Sequence, residues 1–454
     1  MIQLNDIKKV YFIGAGGIGM SAIVRFFNEK GVNVSGYDKT RTPLTQQLES
    51  EGVNIHYEDN VELIPKDVQL VVYTPAIPKD HTEYQYYLQH GYNVVKRSDV
   101  LQIITQSSFN VCVAGTHGKT TISTMTGHVL RHSGFGCNAF LGGISVNYNR
   151  NFWSSDNNVC VVEADEYDRS FHKLQPNIAV ITAMDADHLD IYGTAEAVEE
   201  AFIEFTRKIK PGGWLISKFG LSRTKELVAA HHITYHLDHT AATVHTKNLL
   251  VKNGGYVFDV VLQDTVIEQV QINVGGLHNV ENALAAIAVA HILKIEQEKI
   301  KAAVADYKGV KRRFEYVIAP GEGNVVFIDD YAHHPEELNA LIKGARSLFG
   351  SKKLMVVFQP HLYTRTRDLA DGFAASLDKA DEVILLPIYP ARELPIEGVS
   401  SEMILERMKL GAKQVLTKEE LIEKVKNINE ELVFVTAGAG DIDTLLPQLK
   451  EALK

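Results

Sequence analysis

Short, unbroken apolar runs recur along the chain, each followed by glycine or polar residues and then by a stretch of helical period. Val10–Gly14, Leu70–Thr74, Val111–Gly115, Val159–Glu163, Ile178–Thr182, Leu354–Phe358, Val383–Leu386 and Leu432–Thr436 all have this form. A strand that is apolar at every position has to be covered on both faces, which happens where helices cross over a parallel sheet. The fold class is therefore α/β, with ligands expected at the carboxyl ends of the strands. At 454 residues the chain exceeds a single core. A polar stretch at Gln106–Asn110 and a basic run at Lys308–Phe314 divide it into three domains, 1–107, 108–312 and 313–454.

The first domain opens on strand Val10–Gly14 and the turn Gly14-Ala15-Gly16-Gly17-Ile18-Gly19. A helix follows with Met20, Ile23, Val24 and Phe27 on one face, then Gly31, then strand Val32–Tyr37 ending at Asp38. This is the glycine pattern of Rossmann-like dinucleotide sites. Its physics is broader than that name, because close backbone approach and a helix N-terminus suit any nucleoside diphosphate. A ligand-free turn and NAD are the alternatives. A nicotinamide-dependent dehydrogenase would explain Gly14 to Asp38 and nothing after Val111. A nucleotide-sugar diphosphate on Gly14, Gly16, Gly17, Ile18, Gly19 and Asp38 fits the rest of the chain.

The middle domain opens on strand Val111–Ala114 and the loop Gly115-Thr116-His117-Gly118-Lys119-Thr120-Thr121, with a helix behind it. Backbone N–H groups of such a loop cradle phosphates, a lysine such as Lys119 reaches the terminal ones, and a hydroxyl such as that of Thr120 can hold Mg²⁺. Val113 stands where the longer form of this motif has its first glycine. A buried strand ending in Glu163 places a carboxylate where phosphate-loop proteins bind Mg²⁺. His188, in the polar run Asp185–Asp190 after the next strand, is a candidate for a second metal position or a phosphate contact. In the third domain the expected ligand edge carries Asp329-Asp330-Tyr331-Ala332-His333-His334, then His361, Arg365 and Arg367, then a run that includes Arg392. Planar guanidinium forks at such an edge suit capture of a carboxylate.

Composition narrows the function classes. A net charge of -10 argues against nucleic-acid or anionic-membrane binding, both of which need a basic face. Cys112, Cys137 and Cys160 lack metal-ligand spacing and read as buried thiols in a reducing compartment. With no apolar run of membrane-spanning length, the expected location is cytoplasmic.

Taken in order, G-A-G-G-I-G-M-S, G-T-H-G-K-T-T, E-A-D-E-Y-D, D-A-D-H-L-D, the G-x-H-N-x-x-N run at Gly276–Asn282, D-D-Y-A-H-H-P and H-L-Y-T-R-T-R-D resemble the Mur ligases of peptidoglycan synthesis along the whole chain. The resemblance implies a Rossmann-like UDP-sugar domain, a central P-loop ATPase domain and a Rossmann-like C-terminal domain that closes over the site. It implies an ATP-dependent ligase that activates a carboxylate as an acyl phosphate and couples it to an amino acid. The branch that looks most similar adds L-alanine to UDP-N-acetylmuramate; a relative that adds a murein tripeptide to the same sugar is the alternative. The implied cofactors are ATP and Mg²⁺, with Mn²⁺ able to substitute.

Residue by residue, the resemblance puts ATP on Gly115, Thr116, His117, Gly118, Lys119, Thr120 and Thr121, with His278, Asn279 and Asn282 near the adenine. Thr120, Glu163 and His188 would hold metal. Arg313 and Asp330 would reach the nucleotide, and Tyr331, His333, His361, Arg365 and Arg367 would face the incoming amino acid. Lys119, Glu163, His188, Arg313 and Asp330 are the implied catalytic set. Several sibling ligases carry a carbamoylated lysine where this chain has Ile203; the alanine-adding branch is similar in lacking it.

Overall fold

The structure, a computed structural model, describes residues 4–263, 265–391 and 393–454. Arg392 lies outside the described residues. Three sheets organise the chain, of five, ten and six strands.

The first sheet is wholly parallel, in the order Asn54–His56, Asn33–Tyr37, Lys9–Ile13, Leu70–Tyr73, Val94–Lys96. Val10 to Ile13 are fully buried, as unbroken apolar strands require. Helix Ile18–Glu29 follows the central strand. Its end is fixed by Gly31 at φ +74, where Gly31 N–H donates to Asn28 O and Val32 N–H to Phe27 O. That pair of bonds satisfies the last carbonyls in a left-handed cap that glycine adopts without strain.

The second sheet runs in the order Thr265–Ile272, Gly255–Leu262, Val244–Lys252, His231–His236, Trp214–Lys218, Ile178–Ile181, Phe109–Ala114, Val159–Glu163, Asn138–Ser145, Arg150–Trp153. Its centre is parallel, and Asn138–Ser145 pairs antiparallel with Arg150–Trp153. The third sheet runs Glu315–Ile318, Val325–Asp330, Leu432–Ala437, Lys353–Phe358, Glu382–Leu385, Lys413–Val415, parallel except for its first pair.

The chain packs as two compact units, Met1–Thr246 with Val260–Ile267 and Glu281–Val304, and Lys247–Asp259 with Glu268–Val280 and Ala305–Lys454. Within the first unit, helix Ile18–Glu29 packs on the hairpin of the second sheet. Buried Arg25 holds Glu51 through Nε at 2.8 Å and bonds Asn151 of the hairpin.

Each apolar run named from the sequence is a strand. The strands that were not apparent include some with one wet face, such as Val244–Lys252 and Thr265–Ile272, where apolar and exposed positions mix, and the buried Trp214–Lys218 and Gly255–Leu262. Asp329 and Asp330, expected just past a strand, are its last two residues, and Asp329 is fully buried. Cys112, Cys137 and Cys160 are buried and unpaired, as expected, and burial pushes the thiols of all three up. Among the described residues no helix is long and apolar enough to cross a membrane.

Candidate active site

The middle sheet's central strand ends at Gly115, and the loop closes onto helix Lys119–His132 through Gly118. Their φ values of +135 and +80 are open to glycine and strained for other residues. Thr182, at the end of the neighbouring strand, ties the loop down: its hydroxyl donates to Ala114 O at 3.3 Å and also bonds His117 O. Thr116 belongs to the same lashing, accepting from Asp185 N–H at 3.3 Å. His117 is exposed, 3.8 Å from Asp185. Thr121 is buried behind the loop. Asn282, in helix Leu277–Ile292, reaches the loop: its Oδ1 lies 3.2 Å from where a Cβ on Gly118 would sit.

Two groups of metal-type donors flank this loop. In the first, the Thr120 hydroxyl donates to Glu163 Oε1 at 3.0 Å, while Gly142 N–H donates to Glu163 Oε2 at 3.0 Å. A hydroxyl and a carboxylate are hard oxygen donors that fit Mg²⁺. In the second, ligand atoms of Glu166, Asp187 and His188 lie within 4.8 Å of one another. His188 has φ +53, a strained value for a residue with a side chain, and Tyr167 packs edge-on against its ring. Lys119 lies between the groups, donating to Gly115 O at 2.6 Å and to Glu166 Oε1 at 2.7 Å. Sequence reasoning passed over Glu166 as a partner, although it stands in the same acidic run as Glu163. It is almost fully buried, so its carboxyl group is fixed opposite Lys119.

In the glycine turn of the first sheet, Asp38 has a partner within the turn. Gly14 N–H and Ala15 N–H donate to Tyr37 O at 2.8 and 3.0 Å, and Gly16 N–H donates to Asp38 Oδ2 at 2.8 Å. Asp38 therefore braces the turn itself. A Cβ on Gly16 would fall 2.9 Å from Asp38 Oδ2, whereas one on Gly17 would meet nothing closer than 3.6 Å. Gly16 is needed by the turn's own packing, and Gly17 leaves space in front of it. Ile18, 38% exposed, and Gly19 open the helix beside a cavity of about 290 Å³. Its walls include Gly17, Gly19, Arg97, Gly142, Glu163 and Asp165, so the first sheet's turn and the second sheet's acidic strand end share one space.

In the second unit, Asn279 is buried with its amide donating to Gly275 O at 2.6 Å, and His278 stands beside it in the first turn of helix Leu277–Ile292. Asp330 accepts from Phe314 N–H at 2.7 Å and Ala332 N–H at 2.8 Å, and burial pushes its carboxyl up to about 6. Arg313 is exposed. Its neighbour Arg312, absent from the sequence reading, is the one built into the sheet edge: it bonds Gly438 O and lies 3.5 Å from buried Asp329 and 3.4 Å from Asp443. His361 stacks on Tyr389 at 5.8 Å and faces Arg365 at 3.5 Å. His333 lies 6.4 Å from His361 and 5.1 Å from Tyr331, so these four residues and Arg365 form one surface. Burial first, then the charge of Arg365, holds His361 below the usual histidine range. Arg367 does not join them. Tyr363–Leu377 is a helix, and two residues turn a side chain by about 200°. Arg367 is exposed and bonds Asp368 at 2.7 Å.

Three family descriptions match the chain in order. They are the Mur ligase family catalytic domain at 9–108, the Mur ligase middle domain at 113–290 and the Mur ligase glutamate ligase domain at 312–440. The UDP-N-acetylmuramate–L-alanine ligase of Flavobacterium johnsoniae is 46% identical over 100% of this chain and 99% of its own. The enzyme of the same name from Parabacteroides distasonis is 48% identical over 100% and 98%. Among solved structures, the UDP-N-acetylmuramate–alanine ligase of Thermotoga maritima superposes with a TM-score of 0.82 at 30% identity, covering 98% of both chains. A murein peptide ligase from Psychrobacter arcticus shares the fold, with a TM-score of 0.66 at 22% identity over 98% of both chains.

Proposed function

The chain belongs to the Mur ligase family, and from that membership we infer that it joins L-alanine to the lactyl carboxylate of UDP-N-acetylmuramate, converting ATP to ADP and phosphate. Near-half identity along its whole length to ligases of that name carries this reading. The architecture agrees with it: three α/β domains arranged in sequence as in the Thermotoga maritima ligase. On this reading residues 1–107 hold the UDP-sugar, 108–312 the ATP and 313–454 the incoming amino acid.

The chemistry follows from charge. A carboxylate is a poor electrophile. One of its oxygens attacks the γ-phosphorus of ATP, the bond to the bridging oxygen breaks, and ADP leaves. The resulting acyl phosphate carries a good leaving group. The neutral amine of L-alanine then attacks the acyl carbon, loses a proton and expels phosphate. The protein's contribution is positioning and neutralisation of charge, and no side-chain nucleophile is required.

On this reading Lys119 exchanges Glu166 for the terminal phosphate of ATP. Because Glu166 is buried and fixed, the lysine is held at the mouth of the loop before nucleotide arrives. Thr120 and Glu163 would hold one Mg²⁺, and His188, with Glu166 and Asp187, a second divalent ion. Bound there, such ions offset the negative charge of the phosphates. Ile203, at the position of the siblings' carbamoylated lysine, is fully buried in helix Ala195–Thr206 and offers no ligand. Arg365 with His361 is the surface we assign to the amino-acid carboxylate.

The test is phosphate release from ATP with purified protein, UDP-N-acetylmuramate and a panel of acceptors. Release should require both the UDP-sugar and an amino acid. L-alanine should be preferred, with glycine and L-serine weaker and a murein tripeptide inactive. Release without the UDP-sugar, or with the tripeptide preferred, overturns the reading.

A further inference from the structure

We propose that Arg97 is the residue that captures the anionic oxygens of the UDP-sugar and seats that substrate between the first sheet's glycine turn and Glu163. The proposal rests on the function inferred above and adds a residue to it.

Arg97 is the first residue of helix Arg97–Gln106, in the segment that leads from the first sheet to the second. The helix start is anchored from the other side of the cleft. Lys173 donates to Ser98 Oγ at 3.0 Å and pairs with Asp99. With its backbone fixed, Arg97 sends its side chain across the helix that follows the glycine turn. Its Nη1 lies 2.9 Å from the place a Cβ on Gly19 would occupy, so the absence of a side chain at Gly19 is what admits the guanidinium. Gly19 lies within a helix and has no positive φ, so no backbone demand explains a glycine there.

The cavity that Arg97 enters has a charge problem. Its lining carries two carboxylates, Glu163 and Asp165, and one basic side chain, Arg97. The substrate brought into that space is itself anionic, with a diphosphate at one end and a carboxylate at the other. An ion on Glu163 would offset one of these charges, and the cation the protein itself brings to the space is Arg97.

Arg97 is available for the task. Among the described residues its charge partner is Asp165, in a single loose contact at 3.7 Å, beyond hydrogen-bond reach. Asp165 is otherwise engaged, accepting from Tyr167 N–H at 3.0 Å. A guanidinium has five N–H donors in a planar fork that matches carboxylate and phosphate alike. The weak pairing orients the fork without consuming it.

Two sources of anionic oxygen are possible on this substrate, the diphosphate and the lactyl carboxylate, and the experiment separates them. Affinities of UDP, UDP-N-acetylglucosamine and UDP-N-acetylmuramate are measured by calorimetry for wild type, Arg97→Ala and Arg97→Lys, together with steady-state KM values. Loss of a charged bidentate contact should weaken UDP-N-acetylmuramate by about 10- to 100-fold in Arg97→Ala. Arg97→Lys should recover part of that. KM for ATP should stay within about twofold, on the same scale of effect. If all three ligands weaken together, the diphosphate is the group held. If only UDP-N-acetylmuramate weakens, it is the carboxylate. A general packing defect would instead move ATP and melting temperature with no ligand selectivity, and that result rejects the assignment. So does unchanged affinity for every ligand in a folded Arg97→Ala protein. Wild type that fails to use UDP-N-acetylmuramate would overturn the function itself, a result visible before any variant is made.

Discussion

The chain builds the same local device twice, a buried strand running through a glycine turn into a helix, and the two copies are equipped differently. At Gly115–Thr121 the turn carries its own charge and metal donors, Lys119 and Thr120, with Glu163 and Glu166 at the next strand end to hold them. At Gly14–Gly19 the turn itself carries no charged side chain, and the nearby acid, Asp38, is bonded to Gly16 N–H. On the proposed reading, the first kind of turn neutralises a triphosphate from within. The second offers backbone and a helix N-terminus and leaves neutralisation to a residue from elsewhere, which is the place Arg97 fills. Glycine spacing alone makes the two motifs look equivalent. On the proposed reading, the side chains around them distinguish an ATP site from a UDP-sugar site.

The largest effect should come from removing the charge that only one turn possesses. Lys119→Ala should lower kcat by about a hundredfold or more while the fold is kept, since the side chain faces the loop and not the core. Stopped-time phosphate release and a thermal melt check this. Near-wild-type turnover would remove the distinction between the turns.

This distinction was only partly legible in the sequence. The strands were legible because burial on both faces forbids polar residues within them. The phosphate loop was legible because Gly, Lys and Thr at fixed spacing have one physical use. Asp38 was singled out by its distance from the glycines, and only coordinates reveal that Gly16 N–H donates to it. Arg367 was grouped with Arg365 because two residues look adjacent in a string, while on a helix they face opposite ways. Glu166, Arg97 and Arg312 were overlooked for a common reason. Each has its partner distant in sequence, which no local pattern reveals.

The third sheet supplies a control, an edge whose candidate carboxylate-binding arginines lie on a helix and not in a glycine turn. Arg365→Ala should raise KM for L-alanine by roughly 10- to 30-fold, the scale of one charged hydrogen bond. Arg367→Ala should change it less than about twofold, as for an exposed surface pair. ATP and UDP-sugar KM values should hold in both. Equal effects would show that helix geometry does not decide which arginine meets the carboxylate.

A smaller effect separates the two kinds of glycine within the first turn. Gly17→Ala has room in the protein and should raise KM for UDP-N-acetylmuramate by about tenfold, through obstructed backbone approach. Its melting temperature should be unchanged. Gly16→Ala should lower the melting temperature as well, because its Cβ would crowd Thr45 Cγ2 first and Asp38 Oδ2 next. Matching melts for the two variants would contradict the close packing around Gly16.

The smallest effect concerns stability of the first sheet. Glu83 is fully buried, accepting from Tyr11 OH at 2.6 Å and Asn60 N–H at 3.1 Å. Burial outweighs those bonds and pushes its carboxyl up from 4.5 to about 7. The folded chain therefore keeps this proton where an unfolded chain has lost it, and stability declines as pH rises between those values. The slope is at most about 1.4 kcal/mol per pH unit. Glu83→Gln should flatten it in urea titrations. An unchanged slope would mean that another group carries it.

The two-turn account is tested most directly by crossed affinities. Dissociation constants for UDP-N-acetylmuramate and for a non-hydrolysable ATP analogue are measured on wild type, Gly17→Ala and Lys119→Ala. The account predicts that Gly17→Ala weakens only the UDP-sugar and Lys119→Ala only the ATP analogue. If Gly17→Ala weakens the ATP analogue while UDP-N-acetylmuramate binds as before, the two turns have been assigned to the wrong nucleotides.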